Sequence, residues 1–219
     1  MAGPGSIFQR LDLLPVSISI GPSALHPPKE VAPLRASHPT LIAASRIIGE
    51  HRDTMVARWV EWLGERLTGT ATASRAVVEA EFRLILDVFA ALVGPLRREV
   101  KPLWGKVAER YGRHAAARGL AAGEVVEEMQ YLRELLIRYL APAIAALRPR
   151  QGMALLLRLN RLVDKGVGMA VVGYTDAMVA TILPKDGNVE AMPDADEISR
   201  SLKELQSDLD GILTVRARA

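Results

Sequence analysis

The side chains able to do chemistry in this chain are few and scattered. Its four histidines, His26, His38, His51 and His114, include no HExxH pair or other two-residue ligand spacing, so a catalytic metal has no visible set of ligands. Cysteine is absent, which removes disulfides, thiolate metal sites and cysteine nucleophiles together and suits a reducing compartment, the cytoplasm by default. No GxxxxGK[ST] loop, GxSxG elbow or GxGxxG turn occurs. The residues argue against an enzyme, with neither catalytic nor metal-binding residues to assign.

Polar chemistry does occur inside apolar helical patterns. Arg133, Asp164 and Tyr174 each stand within or beside an otherwise apolar face, where an ionised group needs a partner to offset desolvation. Two readings stand: an interhelical bridge from Asp164 to Arg133, or a set that faces a ligand or signal. Trp59, Trp62 and Trp104 read as core and interface packing.

Around these residues the sequence is helical. From Tyr111 to Tyr139 the pattern is helix, glycine break at Gly119 and Gly123, then helix, with Val125, Met129, Leu132, Leu136 and Leu140 at the spacing of one helical face. Glu128 and Arg133 stand at the edges of that face. In their order and spacing, Arg118-Gly119, Gly123, Glu128, Leu132 and Arg133 resemble the central signature of the N-terminal sensor domain of RsbT co-antagonist proteins. The resemblance extends to Ile47, Ile48, Arg52 and Trp59 upstream and to Leu162, Asp164 and Tyr174 downstream, covering about residues 40 to 183. Met129 stands where the family typically has Tyr.

The resemblance implies a haem-free, globin-like helical domain that receives signals without catalysis, of a kind also found fused to kinases and transcription regulators. A globin-like fold brings with it the alternative of a haem-binding sensor using His114 as the iron ligand. Ala115 to Ala117 and the nearby Arg110, Arg113 and Arg118 instead favour a partly exposed histidine near a helix end. No cofactor is therefore expected.

Composition agrees with one sizeable helical core: 49% of the 219 residues are hydrophobic but only 5% aromatic, so Leu, Val, Ile and Ala must fill it. The small net charge of +3, with acids and bases interleaved at helical spacing, leaves no nucleic-acid footprint. A DNA-binding regulator is the other alternative, but its best recognition helix, Leu96 to Arg118, carries Glu99 and Glu109.

The elements follow from these patterns. Residues 1–39 form a proline-rich arm, extended or disordered, with a strand-like alternation at Val16, Ile18 and Ile20; its apolar run is too broken for a signal peptide. Residues 40–183 give an all-α bundle of five core helices: about Thr40 to Leu67; Ser74 to Gly94, with Ser74 as N-cap; Leu96 to Arg118, loosened at Pro102; the signature helix, ending or kinking near Pro142; and Pro149 to Leu183. The stretch Gly166 to Leu183 approaches bilayer length, but three glycines and Asp176 make it a poor span. Gly166, Ala170, Gly173 and Ala177 suit a buried helix that a neighbour approaches closely. After a linker over 184–194, an extra helix over 195–213 carries a heptad seam of Ile198, Leu202, Leu205, Leu209 and Ile212. The seam either folds back on its own bundle or, with Trp62 of the first helix, pairs with a second copy, giving a homodimer that contacts a signalling partner.

Overall fold

The computed structural model describes residues 38–66, 75–183 and 192–217. These form seven helices and no strand, an all-α bundle. In order they are α1 (His38–Glu50), α2 (Arg52–Arg66), α3 (Arg75–Val93), α4 (Arg97–Ala117), α5 (Ala122–Ala145), α6 (Pro149–Ile182) and α7 (Ala195–Ala217). The strand-like alternation of the proline-rich arm, the Ser74 cap and most of the 184–194 linker lie outside the described residues.

The bundle is built around α4 against α6. On α6, Gly166, Ala170, Gly173 and Ala177 are all buried, recurring every three or four residues along one face. The neighbour this stripe admits is α4. A Cβ on Gly173 would overlap the carbonyl oxygen of Glu109, and one on Gly112 of α4 would overlap that of Ala170. Backbone therefore meets backbone, and α4 also hands the Trp104 indole N–H to the Leu162 carbonyl, 3.1 Å away in the buried interior. This contact explains the long stretch of α6 with Asp176 as its only charge: no helix among the described residues is long and apolar enough to cross a membrane.

Three expectations are corrected. The single first helix is two, broken at His51. Helical bonding reaches the break from both sides, His51 N–H to Ile47 O at 3.1 Å and Met55 N–H to His51 O at 2.9 Å. Gly49 weakens the helix there, and Arg52, which opens α2, reaches across to Asp87 of α3 at 3.1 Å. Pro102 does not delay its helix, which starts at Arg97 and runs on through the proline, whereas α5 does end near Pro142, three residues beyond it at Ala145. Finally, the heptad seam of α7 is not free for a second copy. Ile198, Leu202, Leu205 and Leu209 are buried and Ile212 packs beside them, against the α3 and α4 surfaces of the same chain.

The glycine contact gives a direct test. Gly173→Ala should destabilise the protein by about 3 kcal/mol or more, the upper end of overpacking, because the opposing atoms are backbone and cannot rotate away. Gly105→Ala, on the partner helix α4 and with open space around its Cβ position, should instead be neutral or stabilise by up to about 1 kcal/mol. Urea midpoints of the two variants measure both; equal shifts would contradict the close approach.

Candidate functional site

Five ionisable or hydroxyl side chains converge inside the joint of α3, α4 and α5. Tyr111, His114 and Arg118 stand three and four residues apart, a spacing that puts them on one face at the end of α4. Glu81 comes from α3 and Glu128 from the second turn of α5. All five are buried.

The chain turns sharply to make this possible. Gly119, at φ +81°, follows Arg118 in the left-handed region that glycine tolerates without strain. Gly119 N–H bonds Ala116 O at 2.9 Å and Leu120 N–H bonds Ala115 O at 3.1 Å, the paired bonds of a Schellman motif. Leu120, buried in the core, supplies its apolar contact. The reversal starts α5 at once, with the Glu124 carboxylate accepting the Ala121 N–H at 2.6 Å. Arg118 is thus held at the corner where α5 returns and presents Glu128.

The pairing is bidentate: Arg118 Nη1 and Nη2 donate to Glu128 Oε1 and Oε2 at 3.3 and 3.1 Å. The side chains are only 2% and 1% exposed, so water does not screen them. Tyr111 OH donates to the same Oε2, and the guanidinium carbon lies 5.5 Å from the Tyr111 ring centre. Arg118 Nε finds no acceptor. Beside this trio, His114 Nδ1 and Glu81 Oε1 are hydrogen-bonded at 2.6 Å. An aromatic wall closes the site, with Trp59 stacked on Phe82 at 3.9 Å and both rings 6.4 Å from Tyr111.

Burial sets the proton affinities. It pushes the Glu128 carboxyl above its ordinary range, although Arg118 and Tyr111 pull the other way. The Tyr111 phenol is pushed up well beyond its ordinary value, first by burial and then by the neighbouring Glu128. Burial alone would lower Arg118, but the charge of Glu128 leaves it higher than usual and firmly cationic. Each group is partnered inside the protein, an arrangement suited to fixing helices against one another.

The sequence-based candidates are distributed differently. His114 is buried and bound to Glu81, not partly exposed: the small Ala115 to Ala117 let α4 pack tightly at its end. The cavity beside His114, between α4, α6 and the start of α7, holds about 80 Å3, well below the roughly 300–1,000 Å3 of pockets for cofactor-sized ligands, so it does not fit haem. Arg133 and Asp164 do bridge α5 to α6, but at the surface, with Asp164 61% exposed. Tyr174 is half-buried against the core; ten residues along α6 from Asp164, it stands about 15 Å further down the helix. The three do not form one site. Trp62 stacks on Tyr131 of its own chain, with centroids 4.6 Å apart, so that ring face is already covered.

Tyr111, Arg118, Glu81 and Glu128 were missed as site residues, although Arg118 and Glu128 belong to the resemblance. The i, i+3, i+7 spacing of Tyr111, His114 and Arg118 was a usable signal, as was Glu81 lying on the stripe of Val78, Ile85 and Phe89. Among the described residues no group of three or more His, Asp or Glu stands close enough to hold a metal ion. Comparison with protein-family models, curated proteins and solved structures returned no match.

The two arginine pairs should therefore behave oppositely. Arg118→Met leaves Glu128 without its cationic partner in the core and should cost about 3–5 kcal/mol, while Arg133→Ala, losing a partner that water already solvates, should cost less than about 1 kcal/mol. Chemical denaturation of the two variants checks this; a larger loss for Arg133→Ala would reverse the ranking.

Proposed function

We propose that the chain is a non-catalytic regulatory domain of bacterial signal transduction that acts by protein–protein contact. This is the role implied by its resemblance to the globin-like sensor domains of RsbT co-antagonist proteins. The residues that carry the resemblance support one another physically: the turn at Gly119 exists to aim Arg118 at Glu128.

The observation that carries the reading is a groove between α3 and α7. It holds about 420 Å3. Ala76, Ala80, Leu84 and Leu202 make an apolar floor along just over two turns of α3, while Arg83 and Lys203 stand over it. Small residues flanked by cations suit an amphipathic helix with an acidic edge. Helix α3 connects this groove to the buried cluster, because Ala80 is exposed in the groove while the adjacent Glu81, about 100° further round the helix, is buried. A shift in the register of α3 would reshape the groove, the kind of change by which helical switches act.

Photo-crosslinking from within the groove tests the reading. A benzophenone amino acid at position 80, in cells that naturally produce the chain, should yield an adduct with a second, different polypeptide. The same group at the exposed position 150, on α6, should not. Absence of any heterologous adduct from position 80 at native expression would overturn the proposal.

A further inference from the structure

We infer that the slot between α4 and α7 is a binding site for a small zwitterion, a free amino acid, with Arg110 taking its carboxylate and Glu204 its ammonium. The slot lies on the other flank of α7 from the groove against α3. Its two walls run antiparallel: Lys106 meets Asp208 at 3.6 Å at one end, while further along α4 Arg110 and Arg113 come beside Glu197, near the start of α7. Between those ends it holds about 420 Å3, inside the roughly 300–1,000 Å3 of small-molecule pockets.

Three observations point to such a ligand. Ser201 lines the slot, is only 6% exposed, and its hydroxyl has no hydrogen-bond partner. Two other hydroxyls of α7 turn back onto their own helix, Ser199 to Ala195 O and Thr214 to Asp210 O, both at 2.8 Å. That of Ser201 does not, and a buried hydroxyl left without a partner is costly. Secondly, Arg110 and Glu204 stand on opposite walls, and among the described residues neither makes an ion pair or a hydrogen bond. Their neighbours are paired: Lys106 with Asp208, and Arg113 with Glu109 at 3.3 Å and with Asp176 at 3.7 Å. Thirdly, the charges of the lining balance, Lys106, Arg110 and Arg113 against Glu109, Glu204 and Asp208. A phosphate would meet three carboxylates there and a metal ion three cations. A ligand with one charge of each sign meets its complement on each wall.

The residue types suit the task. The planar guanidinium of Arg110 matches a carboxylate with two parallel N–H donors, and the Ser201 hydroxyl, both donor and acceptor, serves either head group. Leu205, buried beside them, gives the ligand side chain an apolar contact. Arg110 and Glu204 are themselves exposed to water, which screens their attraction, so dissociation constants fall at about 0.1–1 mM. Because one wall comes from each helix, occupancy ties α7 to α4 and suppresses local opening of α7.

Isothermal titration calorimetry of the whole chain with each of the standard amino acids, up to about 10 mM, tests the site. At least one should bind. Its N-acetyl and methyl-ester derivatives, each lacking one of the two charges, should bind about tenfold more weakly or worse, and Arg110→Gln and Glu204→Gln should each cause a loss of the same size. Ser201→Ala should weaken binding by about threefold. Since Arg110 and Glu204 are exposed, both glutamine variants should keep the circular dichroism spectrum of the parent. The bound amino acid should also slow amide hydrogen exchange in α7 over 201–208. No heat with any amino acid, an N-acetyl derivative that binds as tightly as its parent, or binding undiminished in both glutamine variants would each overturn the proposal. So would inorganic phosphate binding more tightly than every amino acid, since the slot would then be an anion site.

Discussion

The contact on which the other helices depend is the meeting of α4 and α6 backbone to backbone. At Gly112 and Gly173 the opposing atoms are carbonyl oxygens, so the two helices fit together in one register only. Side-chain packing can adjust by changing rotamers; this contact cannot. Since Tyr111, His114 and Arg118 are one residue before, two after and six after Gly112, locking Gly112 against α6 also fixes where those three side chains point. The buried ionic cluster is thus positioned from behind, by a contact that includes none of its members.

The cluster itself is better understood as specifying an arrangement than as stabilising one. Taking Arg118 and Glu128 out of water costs several kcal/mol for each ion, and their mutual attraction with the Tyr111 bond offsets that cost only in good geometry. An apolar trio of similar volume could hold α4 to α5 as well, but it would tolerate several registers. The bidentate pair tolerates one. The unpartnered Arg118 Nε shows that even this arrangement does not satisfy every buried donor, as expected where geometry was fixed first by the helix notch and the turn at Gly119.

Much of this was legible in the sequence, and the limits are instructive. The small residues of α6 announced a close neighbour because a glycine and alanine stripe has few other uses, although nothing in it identified α4. Periodicity showed that α7 has an apolar face but could not show what covers it. The same blindness hid the exposed Val172, Val179 and Ile182 of α6. A helix apolar on nearly all sides reads as wholly buried, and the two faces of Gly166 to Leu183 differ less in hydropathy than in what lies opposite. Among the arginines, Arg133 and Arg118 both stood near acids three-dimensionally, but only the second follows a helix end with glycine next. That local rule, a left-handed residue at the reversal, was the available clue that Arg118 points inward. His114 was misjudged because neighbouring alanines were read as surface when small residues equally permit tight burial.

The two attachments of α4 differ in kind, and the difference decides where the bundle can yield. Toward α6 the contact is steric and directional, so any sliding forces carbonyl oxygens into one another's space. Toward α7 it rests on Ile198, Leu202, Leu205 and Leu209, with Lys106 and Asp208 3.6 Å apart and largely solvated at its edge. Apolar burial is non-directional and roughly proportional to area, and an exposed ion pair contributes little. Moving α7 by a heptad fraction exchanges one set of apolar contacts for a similar one, whereas moving α6 has no comparable second position. The α4–α6 pair is therefore the fixed frame of the protein, and α7, which forms one wall of the α3 groove, is the element whose position costs least to change.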